Sequence, residues 1–410
     1  MKRFLSRGVL VAATCLAPLA ALWMAMPATA LAADPVRPEV GKPLQEAAAL
    51  IKSGKYREAL TRVSEAEAVG GKTPTETYLV ERMRFSAAQG AGDTAAAASA
   101  IDAMAGTGRS TPSERLPMTF AIATDYYRNK DYAHALTWLD RYRKEGGTDP
   151  AARTLIIQSY YLNHDCVSVA RELQPAADAG RASEEDLQLL ASCYQQTGDR
   201  NGYANVLERL VASYPKKEYW SDLLTRTQGR KGFADRLDLD LYRLRFLTGN
   251  LANANDYMDM GQLSLSSGYP YEAKKVVDQG FATNVYGAGP AATDRPKRLQ
   301  DLINKQIADG KTTAASRDAD AAATKEGDLM VDLGFAKVTA GNYDAGIAQM
   351  EAGIAKDSLK RPDDARLHLG EAYIMAGKKP KGRDILRTVK GTDGTQDVAR
   401  LWLLYSGSTT

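Results

Sequence analysis

The chain of 410 residues has little of several features that mark particular classes of protein. Cysteine occurs three times, aromatic residues make up 8%, and no useful stretch alternates polar with apolar residues. So few cysteines exclude a small disulfide-rich fold, and the missing alternation argues against β-sheets. Basic residues do not form a stripe with interleaved aromatics, so nothing indicates nucleic-acid binding. The sequence therefore predicts an all-helical protein without a nucleic-acid partner.

The first 33 residues have the pattern of a secretory leader. Three basic residues precede an apolar run from Gly8 to Met26, and the small-residue site Ala30-Leu31-Ala32 follows it. This arrangement predicts a signal peptide over 1–33, cleaved after Ala32 or Ala33. An uncleaved inner-membrane anchor facing the periplasm is the alternative, because the apolar run approaches the length of a membrane span.

The leader also accounts for the net charge of the chain. The sequence holds 53 Lys and Arg against 50 Asp and Glu, and the leader contributes Lys2, Arg3 and Arg7 without any acidic residue. Once the leader is removed, basic and acidic residues are equal in number. Such a balance gives no indication of a site that attracts acidic or basic substrates.

A pattern repeats every 34 residues in the middle of the chain. The tyrosines Tyr126, Tyr160 and Tyr194 keep this step. The residues five, nine and thirteen positions after them keep it too: Asp131, Asp165 and Asp199; Ala135, Val169 and Tyr203; Leu139, Leu173 and Leu207. A fixed period of this length predicts stacked helix–turn–helix units, and the Asp of each turn is suited to cap the second helix.

Farther along the chain, pairs of glycines mark further units. Members of each pair are seven residues apart, and a small residue follows five positions later: Gly261, Gly268 and Ala273; Gly334, Gly341 and Gly346; Gly370, Gly377 and Gly382. Small residues at these places let neighbouring helices approach closely. Residues 299–322 predict another helix pair with its turn at Gly310. The preceding Gly/Pro/Ala stretch, 286–296, predicts a loop or hinge.

These positions, repeated in phase, resemble the tetratricopeptide repeat (TPR) family. Two units carry most of the family pattern: Leu187, Leu190, Tyr194, Gly198, Leu207, Leu210 and Pro215 in one, and Met330, Leu333, Gly334, Gly341 and Tyr343 in the other. The resemblance implies an all-α fold, a right-handed superhelical solenoid of about ten antiparallel helix pairs. We expect an N-terminal array over 40–285 and a C-terminal array with a capping helix over 297–406.

The resemblance also implies a binding surface, because the first helix of each pair lines the concave groove in this family. By repeat position, the groove would hold Phe120, Thr124, Tyr127, Arg128, Gln158, Tyr161, Gln188 and Gln195. Exposed aromatics with Arg and Gln are typical of peptide-binding surfaces. The alternative is that Tyr127 and Tyr161 pack between helices. The Lys/Asn set with which some members bind a C-terminal carboxylate is absent, since Phe120 and Thr124 occupy those places.

No catalytic or metal-binding motif stands out. The histidines His134, His164 and His368 lie in different units, and none has a second ligand four residues away, so no zinc site is predicted. The stretch Val69-Gly-Gly-Lys-Thr73 lacks the first glycine and the preceding strand of a phosphate loop. The many acidic residues are interpreted as solvated, salt-bridged helix faces. We expect no cofactor and no metal.

Two cysteines follow the leader, and their repeat positions place them near each other. Cys166 opens the second helix of one unit, and Cys193 lies near the end of the first helix of the next. Because an exported protein meets an oxidising compartment, we predict a disulfide between them. Two small buried thiols are the alternative.

These observations predict an exported, non-enzymatic scaffold that binds a protein or peptide partner. The resemblance implies a role in envelope assembly, secretion or transport, with membrane association only through a partner. No Asn-x-Ser/Thr site occurs, which favours a bacterial periplasm over a eukaryotic cell surface. Two alternatives stay open. One is a polysaccharide-binding or export scaffold, with Tyr127, Tyr161, Trp138 and Trp220 stacked on sugar rings; the other is an enzyme with an unrecognised site.

Overall fold

The computed structural model describes residues 35–287 and 289–407. The predicted leader over 1–33 lies outside this part. The described residues form twenty α-helices and a short 3-10 turn, without a strand. The helices are α1 Pro38–Lys52, α2 Tyr56–Glu67, α3 Pro74–Ala91, α4 Thr94–Gly106, α5 Pro112–Arg128, α6 Tyr132–Lys144, α7 Pro150–Leu162, α8 Cys166–Asp178, α9 Glu184–Thr197, α10 Arg200–Ser213, α11 Lys217–Gln228, α12 Asp238–Leu247, α13 Ala254–Ser266, α14 Pro270–Ala282, α15 Pro290–Ala323, α16 Asp328–Thr339, α17 Tyr343–Ala355, α18 Pro362–Met375, α19 Lys379–Leu386 and α20 Thr395–Gly407. None of these helices combines the length and apolar character that crossing a membrane requires.

The described helices belong to two compact units. The first unit ends at Asn163 and holds α1 to α7, and the second begins at His164 and holds α8 to α20. The division into arrays on either side of 286–296 stays a prediction. Residues 290–296 belong to α15, which begins at Pro290, and not to the predicted loop.

Consecutive helices pack as pairs within each unit. In the first unit α1 packs on α2, α3 on α4 and α5 on α6; in the second unit α9 packs on α10, α13 on α14, α16 on α17 and α18 on α19. The first helices of neighbouring pairs are also in contact: α1 with α3, α5 with α7, and α16 with α18. The prediction of an all-α fold built from TPR-like helix pairs is confirmed.

The aspartates of the 34-residue repeat begin the second helices, as predicted. The carboxylates of Asp131, Asp165 and Asp199 each accept a backbone N–H three residues ahead, at 3.2, 3.0 and 2.8 Å. Each bond satisfies one of the N–H groups that a helix start leaves without a partner. The repeat therefore fixes the start of α6, α8 and α10 through local chemistry.

The first glycine of each of the last two pairs and the glycine that follows the pair lie where two helices cross. A Cβ on Gly346 of α17 would stand 2.5 Å from the carbonyl oxygen of Gly334 of α16, closer than atoms can approach. Gly341 in the turn between them has φ 92°, which glycine adopts without strain. Gly370 and Gly382 repeat this arrangement at α18 and α19. The predicted close approach of these helices is confirmed.

The predicted helix pair over 299–322 is wrong. These residues belong to the single helix α15, which is 34 residues long. Gly310 lies inside it with no atom near enough to touch a side chain, so it marks neither a turn nor a close approach. A single glycine costs a helix only about 1 kcal/mol relative to alanine, and the surrounding alanines offset that cost.

The second unit closes on itself. Helix α20, the predicted capping helix, packs against α10, α12, α18 and α19. Arg236, just before α12, binds Asp364 of α18 and Asp393 in the loop before α20, both at 2.7 Å. The N–H of Ala234 donates to the carbonyl oxygen of Asp393 at 2.9 Å. In an open repeat array each unit contacts only its neighbours, so these distant contacts distinguish the second unit from such an array.

Candidate functional site

Most of the predicted groove residues lie on two neighbouring first helices of the first unit. Helix α5 carries Phe120, Thr124, Tyr127 and Arg128, and α7 carries Gln158 and Tyr161. Because α5 and α7 are in contact, these side chains share one region of the first unit.

Tyr127 links the two helices. Its hydroxyl donates a hydrogen bond to Gln158 Oε1 at 2.9 Å, and its ring meets the Tyr132 ring edge-on at 5.6 Å. Burial, followed by the neighbouring Tyr132, raises the pKa of the Tyr127 phenol. Arg128, at the end of α5, is 64% exposed and lies 3.9 Å from Asp125. This arrangement presents a half-buried phenol and amide beside an exposed guanidinium.

Phe120 and Thr124 contribute to the fold more than to an exposed surface. The Phe120 ring packs against the core of the first unit, 5.4 Å from the Tyr142 ring. The Thr124 hydroxyl donates to the Phe120 carbonyl oxygen at 2.9 Å, within the helix. Because the Phe120 ring packs on the core and the Thr124 hydroxyl bonds within its own helix, Tyr127, Arg128 and Gln158 are the better-placed part of the predicted surface.

The adjacent tyrosines of the repeat have different surroundings. Tyr126 and Tyr160 pack against the hydrophobic core of the first unit, and Tyr126 also stacks on the His134 ring at 5.1 Å. Tyr127 and Tyr161 are half-buried outside that core. All four rings are half-buried, and of the four Tyr126 and Tyr160 are the ones packed against that core.

The remaining predicted groove residues lie in the second unit. Gln188 and Gln195 are exposed on α9. The Gln188 amide donates to Glu184 at 3.4 Å and also contacts the hydroxyl of Tyr219. These residues form a separate polar surface on α9.

Two aromatic residues proposed to stack on sugar rings are unavailable for that role. Trp138 is 8% exposed and belongs to the core of the first unit, and Trp220 is 3% exposed. Both sit at helical positions that face other helices, so their rings are covered by protein. The polysaccharide alternative therefore loses its two tryptophans and keeps only Tyr127 and Tyr161.

The predicted disulfide is not formed in the structure, which holds Cys166 and Cys193 as buried free thiols. Burial raises the pKa of the Cys193 thiol, and the nearby Cys166 raises it further. The Cys193 thiol therefore holds its proton, and burial shields both thiols from solvent. The two cysteines lie close together, as expected, and a disulfide between them stays a prediction for the oxidised protein.

A cluster of charged residues lies buried in the second unit. Arg243 of α12 is 3% exposed and donates to Glu272 of α14 at 2.8 and 3.0 Å and to Asp240, one turn earlier, at 2.5 Å. Glu371 of α18 is fully buried, with its carboxyl 3.6 Å from Arg243 Nη1. His368, one turn before Glu371, lies 3.2 Å from Asp240. One guanidinium thus faces three carboxyl groups.

The three carboxyl groups differ in their hydrogen bonds, since Arg243 donates to Glu272 and Asp240 but not to Glu371. Among the described residues, neither oxygen of Glu371 makes a hydrogen bond of ordinary geometry, although the adjacent Trp402 indole lies close enough to oppose the rise of its pKa weakly. Burial raises the pKa of Glu371 well above its usual range, and the Asp240 carboxylate adds to this effect. For Asp240, burial alone would raise the pKa, but the charges of His368 and Arg243 outweigh burial and lower it. Glu371 therefore holds its proton more tightly than Asp240 does.

A small cleft adjoins this cluster. It has a cavity volume of about 70 Å³, which is small beside the several hundred Å³ of most ligand pockets. Its lining includes Arg243, Phe246, Met260, Glu272, Met375 and Trp402. Within residues 35–287 and 289–407, no three His, Cys, Asp or Glu side chains are placed to hold a metal ion.

The buried cluster corrects the interpretation of the acidic residues as solvated helix faces. Asp240 and Arg243 stand among the leucines of α12, a segment too apolar to be a solvated face. Charged residues between leucines were the feature of the sequence from which a buried cluster could have been predicted, because charges inside an apolar helix must find partners. Glu272 and Glu371 carry no such signal, because their partners lie 29 and 128 residues away.

Comparison with solved structures finds proteins that contain helical repeats. The chain is similar to yeast Tom70, with 10% identity over 90% of this chain and 95% of that chain and a TM-score of 0.24. It is similar to the P58(IPK) TPR domain, with 12% identity, coverage of 90% and 97%, and a TM-score of 0.22. It is also similar to Naa15/Naa10 bound to HypK-THB, with 12% identity, coverage of 90% and 67%, and a TM-score of 0.28. No protein-family model and no curated protein matches the sequence.

Proposed function

We propose that the chain is an exported, non-enzymatic scaffold that binds a protein or peptide partner on α5 and α7 of its first unit. The hydrogen-bonded pair of Tyr127 and Gln158 is the observation that supports this proposal most directly. It joins the first helices of two successive repeats and keeps a partly exposed phenol and amide side by side. Arg128 adds an exposed guanidinium at the end of α5.

The chemistry of these groups suits a polypeptide. Tyrosine and arginine are enriched among residues that contribute most to protein interfaces, because they combine apolar contact area with hydrogen bonds. The Gln158 amide has both donors and an acceptor, which match the N–H and C=O groups of a peptide backbone. The bond to Gln158 restricts the Tyr127 side chain before the partner arrives, so less conformational entropy is lost on binding.

The proposed location is the periplasm. The basic, apolar and small-residue segments of the leader over 1–33 support export, and an inner-membrane anchor is the alternative. An accessory role in envelope assembly, secretion or transport agrees with a scaffold that carries no recognised catalytic motif. N-terminal sequencing of the exported protein tests this part, and retention of full-length chain in the inner membrane would favour the anchor.

Two double variants test the binding surface. We expect Tyr127→Ala with Tyr161→Ala to weaken partner capture by a kcal/mol or more per residue, about fivefold each, with little loss of stability. Tyr126→Ala with Tyr160→Ala is the matched control, since these rings pack on the core and their loss should lower the melting temperature. Partners captured from periplasmic extract by the wild type are identified by mass spectrometry, and their affinities are measured for each variant.

The two pairs are adjacent in sequence and should behave in opposite ways. Unfolding of the Tyr127/Tyr161 variant as severe as that of the Tyr126/Tyr160 variant would assign all four rings to the core and contradict the proposal. Unchanged affinity in the folded Tyr127/Tyr161 variant would place the partner elsewhere. Retention on polysaccharide columns without protein partners would favour the glycan alternative.

A further inference from the structure

The buried charges lie where the second unit closes. Asp240 and Arg243 belong to α12, near the beginning of this unit, whereas His368 and Glu371 belong to α18, near its end. Trp402 of α20 is fully buried beside them. The contacts that close the unit therefore pass through a set of ionisable groups of which Asp240, Arg243 and Glu371 are buried and His368 is 20% exposed.

The charge balance of this cluster depends on Glu371. The N–H groups of Arg243 that make hydrogen bonds serve Glu272 and Asp240. Glu371 is left 3.6 Å from Arg243 Nη1, and neither of its oxygens makes a hydrogen bond of ordinary geometry to any described residue. An ionised Glu371 would be a third carboxylate around one guanidinium. A buried charge without a compensating partner is strongly unfavourable, so the closed arrangement requires a proton on Glu371.

We propose that Glu371 makes the closure of the second unit sensitive to pH. Helices α18 and α20 stay packed against α12 while Glu371 holds its proton, and they separate from α12 when the proton is lost. Opening lets the carboxylate reach water, where its charge costs little. The raised pKa of Glu371, caused first by burial and then by Asp240, agrees with this assignment.

Other ionisable groups face the cluster from the surrounding helices. Asp240 and Arg243 face Glu371 from α12, and Glu272 does so from α14. His368 on α18 binds Asp240 and feels the charge of Asp332 on α16. The Tyr269 ring lies 5.1 Å from the Arg243 guanidinium at the start of α14. Arg236, with Asp364 and Asp393, forms a second charged contact across the same closure.

The direction of the effect follows from proton linkage. A carboxyl whose pKa is raised in the closed form binds its proton more tightly there than in the open form. Closure is therefore most favoured at low pH and weakens as the pH rises from the ordinary glutamate range towards the raised pKa of Glu371. Over that window one proton is released on opening, so the opening equilibrium constant increases tenfold per pH unit.

Hydrogen exchange of the full chain tests the proposal. Exchange of α20 amides is measured from about pH 5, just above the ordinary glutamate pKa, to pH 8 and is corrected for the intrinsic pH dependence of exchange, with α1–α4 amides of the first unit as reference. We expect the opening constant of α20 in the wild type to rise about tenfold per pH unit until the pH reaches the raised pKa of Glu371. Glu371→Gln, which mimics the protonated carboxyl, should abolish this slope. Asp384→Asn, at a 75% exposed carboxylate on α19, should retain it.

The outcomes separate clearly. A wild-type α20 without pH dependence would overturn the proposal, and so would a Glu371→Gln variant with the wild-type slope. His368→Gln should keep the slope; its loss in this variant alone would assign the proton to His368 and overturn the role of Glu371. Glu371→Met, which removes the proton while filling similar space, repeats the decisive comparison should the Gln variant fold poorly.

Discussion

Replacing Arg243 by Met should destabilise the second unit strongly. Arg243 is 3% exposed and makes hydrogen bonds to Glu272 and Asp240 at 2.5 to 3.0 Å. Methionine fills much of the same space but leaves these carboxylates buried without a cation. Breaking a buried ion pair from one side typically costs 3–5 kcal/mol, so a loss of about this size is expected.

Thermal unfolding followed by circular dichroism measures the effect. For a unit of this size, 1 kcal/mol corresponds to about 2–4 °C, so the melting transition of the second unit should fall by about 6–20 °C. Arg387→Met is the matched control. Its guanidinium is 55% exposed and pairs with Asp384 three residues earlier, and such surface pairs contribute at most about 1 kcal/mol.

A second comparison tests the electrostatic cause. Combining Arg243→Met with Asp240→Asn and Glu272→Gln removes the uncompensated charges and should recover much of the lost stability, because a neutral buried cluster avoids the cost of desolvated ions. A melting temperature of the Arg243→Met variant close to that of the Arg387→Met variant would refute the reasoning. It would show that the carboxylates reach solvent once the guanidinium is gone.

Three further predictions concern local features. Gly346→Ala should lower the free energy of unfolding by about 1–3 kcal/mol, because the new Cβ would meet a carbonyl oxygen at 2.5 Å. Gly310→Ala, in open space, should raise it by about 0.5–1 kcal/mol, and chemical denaturation measures both changes. Asp199→Ala should cost about 0.5–2 kcal/mol through the lost cap of α10, measured in the same way. Thiol counting on exported, unreduced protein should find Cys166 and Cys193 paired, and two titratable thiols would contradict this.

The helix pairs were predictable because the information is local and repeated. Asp131, Asp165 and Asp199 cap helices through backbone groups three residues away, and Gly334 and Gly346 meet across a turn of a few residues. Such contacts lie within one unit, where spacing alone indicates the partner. The prediction for α15 was wrong because glycine and alanine fit both a turn and a helix interior. The sequence does not show whether another helix packs against Gly310.

The closure and the buried cluster were not predictable from the same pattern. Glu371 resembles any glutamate on an amphipathic helix until α18 is placed against α12, and its partner Arg243 is 128 residues earlier. For the proposed binding surface, repeat position predicts a core position for Tyr126 and a groove position for Tyr127. It also predicts a groove position for Phe120, but the Phe120 ring packs against the core. Side-chain packing between pairs decided that outcome, and the repeat pattern carries no information about it.

The contacts between Arg236 and Asp393 have a consequence for the order of folding. They join residues 157 positions apart, so the region around α12 lacks part of its final environment until the segment before α20 arrives. An open repeat array can begin folding at any unit and extend from there. Here, bringing together distant segments requires an additional loss of chain entropy, which slows the last step. The face of α12 that α20 covers stays exposed for that interval, and it is a surface that a chaperone would have to shield.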